Sequence, residues 1–182
     1  MIQFTAVLLV AIFLSLVVQH FLPPLPVIGA RVLLVPVVMF YGAVALPLPL
    51  MLLLATATGF MWDALHVQII EGNIEIAMGW SIVLYAALGA IMGGFRPLFL
   101  RGRWEIHCVL CGLCTAFIVL AEYLMITFRR EPVTFVMNKE IGWRIGGAGI
   151  TALLISPFIF FLLTYIAHLV GYNPQPEKGV KR

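Results

Sequence analysis

The sequence predicts an all-α integral membrane protein, a compact bundle of about six transmembrane helices. The first 62 residues hold a single charged side chain, that of Arg31, and the first acidic residue is Asp63. The whole chain is 63% hydrophobic and 10% charged, with a mean hydropathy of +1.09. A soluble domain of this composition would have no solvated face. A helix in lipid, by contrast, satisfies its own backbone and needs only apolar side chains.

Six apolar runs approach the roughly 20 residues that a membrane span needs. The predicted spans cover residues 2–22, 27–46, 48–70, 74–95, 104–128 and 145–170, followed by a polar tail over 171–182. Together they predict one transmembrane domain over 1–182. The first run lacks the basic start and the cleavage site of a signal peptide, so we interpret it as a retained span.

The breaks between these spans are marked by prolines, by polar turns and by charged loops. In chain order they lie at Pro23–Pro26, Pro47–Pro49, Glu71–Asn73, Arg96–Arg103 and Arg129–Glu140. The Pro47–Pro49 break is needed because the uncharged run around it is too long for one crossing.

The distribution of basic residues predicts that both termini lie in the cytoplasm. Arg96, Arg101 and Arg103 fall in the fourth loop and further basic residues in the tail, whereas the Glu71–Asn73 turn holds no Lys or Arg. Cytoplasmic loops carry the excess of positive charge in membrane proteins. The net charge of +3 comes mainly from these basic loops and the tail. We therefore expect the basic segments to contact membrane lipids and not a nucleic acid.

With that orientation, four charged residues fall at one depth in the outer third of the bilayer. They are Arg31, Asp63, Glu122 and Arg144. Charges within membrane spans are costly, and two acids and two bases at one depth can neutralise one another. Two interpretations stay open: structural ion pairs with snorkelling arginines, or an outward-facing polar cavity or partner-docking site.

Small residues four apart predict close helix packing in two spans. The fourth span contains Gly89 and Gly93, and the sixth begins with Gly142 and Gly146. Such spacing lets backbones approach in lipid. It favours packing within the bundle, with a subunit contact as the alternative.

No enzyme signature, cofactor motif or metal motif is found in the sequence, so a non-enzymatic protein without a cofactor is predicted. Cys108, Cys111 and Cys114 share one helical face at a spacing of three. This spacing is superficially that of a cluster-binding motif. The surroundings favour small, soft side chains at a helix seam.

The third span ends in the segment Gly59–Leu65, which reads G-x-x-x-D-x-L, and a short polar loop and Gly79 follow it. This arrangement resembles the rod-shape-determining MreD family of bacteria, a family of small and very hydrophobic chains. The chain length, the six-span layout and the basic fourth loop also fit. By motif, Gly59 and Asp63 are the residues that the resemblance carries over.

The resemblance implies a non-enzymatic scaffold of the cell-elongation machinery, which sets rod shape and builds peptidoglycan at the bacterial cytoplasmic (inner) membrane. Its implied partners are the periplasmic coiled-coil protein MreC and, through the complex, MreB, RodA and a class B penicillin-binding protein.

The fold that the family suggests also resembles the six-helix substrate-binding subunits of energy-coupling-factor transporters. The alternative function is therefore a membrane subunit that binds a vitamin or another small solute. Such a subunit needs a cavity lined by a few polar groups, and the layer of Arg31, Asp63, Glu122 and Arg144 could line one.

Overall fold

The computed structural model describes residues 1–24, 30–65, 69–70, 73–74, 79–130 and 138–173, and they form a helical bundle. The helices are α1 (Ile2–Phe21), α2 (Val35–Ala45), α3 (Leu48–Leu65), α4 (Trp80–Gly94), α5 (Arg96–Leu100), α6 (Trp104–Arg130) and α7 (Lys139–Leu169). Two short antiparallel strands, β1 (Ile69–Ile70) and β2 (Asn73–Ile74), pair between α3 and α4. Of the predicted polar tail, residues 174–182 lie outside the described part of the chain.

Four of these helices, α1, α3, α6 and α7, are long and apolar enough to cross a membrane. The predicted all-α membrane bundle agrees with this observation. The two other apolar helices are shorter: α2 has 11 residues and α4 has 15. At 1.5 Å per residue they are about 16 Å and about 22 Å long, against a hydrocarbon core of about 30 Å.

The ends of the helices differ from the predicted spans where charge or strand pairing intervenes. Helix α3 ends at Leu65 and not at residue 70, and α4 begins at Trp80 and not at 74, because the strand pair occupies part of the connection. Helix α7 begins at Lys139, six residues before the predicted span. Hydropathy locates the apolar part of a helix, whereas charged turns can extend it beyond the membrane.

Helix α2 lies at the centre of the bundle. All eleven of its residues are buried, and it contacts α1, α3, α4, α5, α6 and α7. The predicted second span began at residue 27, but residues 30–34 are not helical and 25–29 lie outside the description. Pro36 lies in the first turn of α2, where its missing N–H does no harm. The amide of Leu34 donates to Oε1 of Gln19 on α1 at 3.0 Å.

The outward faces of the long helices are strongly apolar. Phe13 of α1, Leu113 of α6 and Phe158 of α7 are each more than half exposed, and many other large apolar side chains accompany them. Apolar surface on this scale is costly in water and matches a lipid environment.

The first and last described segments meet at one end of the bundle. The rings of Phe4 and Tyr172 stack with centroids 4.6 Å apart. The Tyr172 hydroxyl donates to the carbonyl oxygen of Ala45, at the end of α2, at 2.7 Å. We call this the termini end, and we call the opposite end, which carries β1 and β2, the hairpin end. Burial raises the pKa of the Tyr172 phenol, and nearby Arg96 opposes this by a smaller amount.

Glycine packing is found at one of the two predicted pairs. A Cβ on Gly89 would lie 2.9 Å from side-chain atoms of Met39 and Met51, and one on Gly93 would lie 3.7 Å from the Ala43 carbonyl oxygen. Helix α4 therefore packs closely on α2 and α3, as the spacing predicted.

The predicted pair on α7 does not pack within the described chain, since nothing lies within 4 Å of a Cβ on Gly142 or Gly146. Instead α6 and α7 cross at Gly112 and Gly149, where a Cβ on either would lie within 3 Å of the other's carbonyl oxygen. Gly142 and Gly146 lie on an exposed part of the α7 surface. The cysteines Cys108, Cys111 and Cys114 are buried free thiols.

Candidate functional site

The two motif residues of α3 hold the start of α4. Gly59 and Asp63 are one turn apart and share a helix face. A Cβ on Gly59 would lie 2.5 Å from the backbone N and Cα of Ile82. The Oδ2 atom of Asp63 accepts a hydrogen bond from the Gly79 amide at 2.6 Å. We call this group of four residues the α3–α4 latch.

The chemistry of the latch explains its residue types. Gly79 precedes α4 with a φ of +99°, a left-handed conformation that a residue with a side chain rarely adopts. Asp63 supplies an acceptor to an amide at the start of α4, and its negative charge lies near the positive end of that helix. Glycine at position 59 lets the two backbones meet.

A second contact links α3 to α6. The indole Nε1 of Trp62 donates to Oε1 of Glu122 at 3.0 Å. Trp62 is buried and Glu122 is half-buried. The neighbouring positions 62 and 63 on α3 thus direct one side chain to α6 and the other to α4.

Tyr85 of α4 completes the site. It is 1% exposed, and its ring lies 6.5 Å from that of Trp62. Its hydroxyl is buried and has no hydrogen-bond partner within the described residues, and the same holds for Nε1 of Trp80. Tyr85 interacts electrostatically with both Glu122 and Asp63. We call the set Trp62, Asp63, Tyr85 and Glu122 the acidic–aromatic cluster.

Of the four charged residues in the predicted layer, only the two acids lie close to each other. The structure brings Asp63 and Glu122 together, whereas Arg31 and Arg144 are exposed. Among the described residues, no Lys or Arg nitrogen lies within the 4.0 Å of an ion pair with either acid. Arg31 lies in the non-helical segment before α2, although the second span was predicted to contain it as a helix. Arg144 lies in the second turn of α7, although the sixth span was predicted to begin after it.

The neighbours of this site that sequence reasoning missed are Trp62 and Tyr85. Trp62 stands directly beside the predicted site residue Asp63. Aromatic side chains with a polar tip usually bond that tip when they are buried. The sequence feature that could have indicated this site is a tryptophan next to an acidic residue inside an apolar run.

This arrangement is suited to binding through hydrogen bonds and charge. Its two carboxylates accept hydrogen bonds from neutral donors, Gly79 N–H and the Trp62 indole, and such acids attract basic groups. In the described part of the chain, no group of three or more His, Cys, Asp and Glu side chains is arranged to hold a metal ion. Comparisons of the chain with family models, with curated proteins and with solved structures find no match.

Proposed function

We propose that this chain is a non-enzymatic membrane scaffold of the bacterial cell-elongation machinery, which sets rod shape through peptidoglycan synthesis. One observation carries the proposal. Gly59 and Asp63, the residues on which the resemblance to the MreD family rests, act together in the α3–α4 latch. These two contacts hold the start of α4 against the end of α3, and we propose that this is the role of the motif.

The proposed topology has six crossings with both termini in the cytoplasm of a bacterial inner membrane. Under it, α2 crosses together with the non-helical segment before it, and α4 crosses together with residues of the preceding connection. An even number of crossings is supported by the meeting of Phe4 with Tyr172 at the termini end. Exposed Arg101 and Arg103 at that end favour the cytoplasmic side.

The hairpin end would then face the periplasm, and Glu122 is the member of the acidic–aromatic cluster that a partner could contact. Glu122 is half-buried and reachable from outside the bundle, while its Trp62 contact holds it in place. An MreC-like coiled-coil protein is the proposed partner, with MreB, RodA and a class B penicillin-binding protein joined through the complex. A carboxylate held in place suits a basic segment of such a partner, because little side-chain entropy is lost on binding.

The test is affinity purification of the chain with a C-terminal tag from native membranes in a mild detergent. We expect recovery of a periplasmic coiled-coil protein with cell-wall synthases. Glu122→Gln should lower that recovery several-fold, because the amide keeps the shape and loses the charge. Glu105→Gln is the matched control, since Glu105 is an exposed acid in the first turn of the same helix. Equal recovery with both variants would place the partner elsewhere on the surface.

One observation favours the alternative, a substrate-binding subunit of a transporter for a vitamin or small solute. Helix α2 is short, central and preceded by non-helical residues 30–34, and interrupted helices build solute sites in many transporters. Recovery of paired ATPases with a membrane coupling subunit in the same purification would establish this function and exclude the scaffold.

A further inference from the structure

The long helices of the bundle group into two parts. Helix α3 packs most extensively on α4, and α6 packs most extensively on α7. The α6–α7 pair meets the other helices through the central α2, through α5 and only slightly through α4. Within the described residues, backbone packing of α1 or α3 against α6 or α7 is slight or lacking. We call the two groups the α1–α4 part and the α6–α7 part, and the boundary between them the seam.

The contacts inside each part differ in kind from those across the seam. Inside the parts, helix backbones approach one another at glycines. A Cβ on Gly59 would collide with the backbone of Ile82, and one on Gly112 would collide with the backbone of Gly149. No described glycine makes such a backbone contact across the seam. Close backbone packing fixes two helices relative to each other, so we expect each part to move as a unit.

Side-chain hydrogen bonds join the two parts instead. Towards the hairpin end, Nε1 of Trp62 on α3 donates to Oε1 of Glu122 on α6 at 3.0 Å. Towards the termini end, the hydroxyls of Tyr41 on α2 and Thr164 on α7 are hydrogen-bonded at 3.1 Å. Small sliding movements of packed helices exchange contacts of this kind more easily than they break backbone packing. The seam is therefore the boundary at which this bundle rearranges most easily.

Two buried polar atoms at the seam have no hydrogen-bond partner within the described residues. One is the hydroxyl of Tyr85 on α4, which interacts electrostatically with Glu122 across the seam. The other is Nδ1 of His107 on α6, whose ring faces that of Tyr41 on α2 at a centroid distance of 6.4 Å. Unsatisfied buried groups are rare and costly. Their position at the seam indicates that its hydrogen bonds are not the best that these groups can form.

At the hairpin end, two donors of the α1–α4 part compete for one carboxylate of the α6–α7 part. Trp62 donates to Glu122, whereas Tyr85, whose ring centroid lies 6.5 Å from that of the indole, does not. A carboxylate accepts hydrogen bonds at several positions. A hydroxyl that donates to an ionised carboxylate forms a stronger hydrogen bond than a neutral pair does. A small displacement of α6 towards α4 would therefore satisfy the Tyr85 hydroxyl.

We propose that the bundle has a second arrangement, in which the α6–α7 part is displaced along the seam and Glu122 accepts a hydrogen bond from Tyr85 in place of Trp62. Helices α6 and α7 move together. The connection through α5, which is followed by Gly102 at a φ of +81°, takes up the displacement. This inference concerns the bundle alone and does not rest on the proposed function. A partner that contacts half-buried Glu122 in one arrangement only would shift the balance between the two.

The first experiment is nuclear magnetic resonance of the full chain in a mild detergent with isotope-labelled tryptophan. The chain has four tryptophans, so four indole N–H signals are expected, and Trp62→Phe identifies the signal of Trp62. We expect that signal to show two environments, either as two peaks or as exchange broadening on the microsecond-to-millisecond timescale. A single Trp62 signal without exchange, at the same position in Tyr85→Phe, would overturn the proposal.

Tyr85→Phe tests the alternative donor, because it removes the hydroxyl and keeps the ring. The population of the second environment should fall by about tenfold or more, which is the contribution of a hydrogen bond to a charged group. The variant should fold normally, since the hydroxyl that it lacks has no partner within the described residues. Tyr165→Phe is the matched control, because it removes a hydroxyl from an exposed tyrosine of α7. Equal populations in the two variants would refute the exchange of donors.

Labelled methionine methyl groups separate a movement of helices from a local rotation of one side chain. Met125 lies one turn after Glu122 on α6, and Met39 is buried on α2 beside Gly89 of α4. We expect Met125 to exchange at the same rate as Trp62, and Tyr85→Phe to suppress both, while Met39 shows one environment. Exchange at Trp62 without exchange at Met125 would mean that only the indole rotates, which contradicts the proposed displacement.

Discussion

Replacing Gly59 with alanine tests whether α3 holds the start of α4 by backbone contact. The new Cβ would lie 2.5 Å from both N and Cα of Ile82 and 2.8 Å from its Cγ1. Carbon atoms in contact are normally 3.5–4.0 Å apart, so α4 must move by about 1 Å. That movement carries Gly79 with it, and the 2.6 Å hydrogen bond to Asp63 lengthens or breaks.

The expected cost follows from two opposing effects. Overpacking of this kind costs about 1–3 kcal/mol. Alanine favours a helix over glycine by about 1 kcal/mol. Gly146→Ala is the matched control, because Gly146 is a helical glycine with nothing within 4 Å of its Cβ position. Both variants have the helix benefit, so their difference isolates the steric cost of about 1–3 kcal/mol.

The assay is thermal unfolding of both variants in a mild detergent, read by circular dichroism. Gly59→Ala should unfold several degrees below Gly146→Ala. The double variant Gly59→Ala with Asp63→Asn should lose less than the sum of the single losses, because the first change already weakens the hydrogen bond. Equal midpoints for the two alanine variants would refute the latch.

Three further predictions use the same assay. Asp63→Ala should cost about 1–3 kcal/mol because it leaves an amide at the start of α4 unsatisfied. Asp63→Asn should cost less, since its carbonyl can still accept. Tyr172→Phe should cost about 0.5–1.5 kcal/mol by removing the donor to Ala45 while it keeps the stacked ring. Gly112→Ala should cost about 1–3 kcal/mol more than Gly146→Ala, because its Cβ meets the α7 backbone. A shift within error of wild type would contradict the assigned contact in each case.

Hydropathy predicted where most helices lie but not the character of α2. Its sequence is apolar on every side, which is typical of a buried helix, yet every other run is also apolar. A window over residues 27–46 counts apolar residues and does not distinguish an extended segment from a helix. Pro36, which suits the first turn of a helix, was the one local sign that α2 begins near residue 35.

The importance of Asp63 was predicted from its position, whereas its partner was not. A buried acid was expected to pair with a base, and Arg31 and Arg144 were the bases at the right depth. The structure instead gives it the Gly79 amide, and that contact depends on a positive φ and on the approach of α4 at Gly59. Such contacts arise from packing, which no spacing rule encodes.

Glycine spacing gave the same mixed result for a different reason. The pairs Gly89/Gly93 and Gly142/Gly146 have the same pattern, but only the first faces a neighbouring helix in the described chain. The pattern indicates only that another helix could pack closely against the backbone at these positions. Which helix approaches it depends on the rotation of each helix in the bundle.

The enclosed position of α2 constrains how the chain is made. Under the proposed topology, a helix of about 16 Å has its terminal amides and carbonyls within the depth of the bilayer, where each unsatisfied group costs several kcal/mol. At the start of α2, the amide of Leu34 is bonded to Gln19, which is synthesised earlier in the chain. At the end of α2, the carbonyl of Ala45 is bonded to Tyr172, which is synthesised 127 residues after Ala45. Until Tyr172 is made, the Ala45 carbonyl lacks this donor, so the contact that completes the centre of the bundle can form only after the early helices have been synthesised.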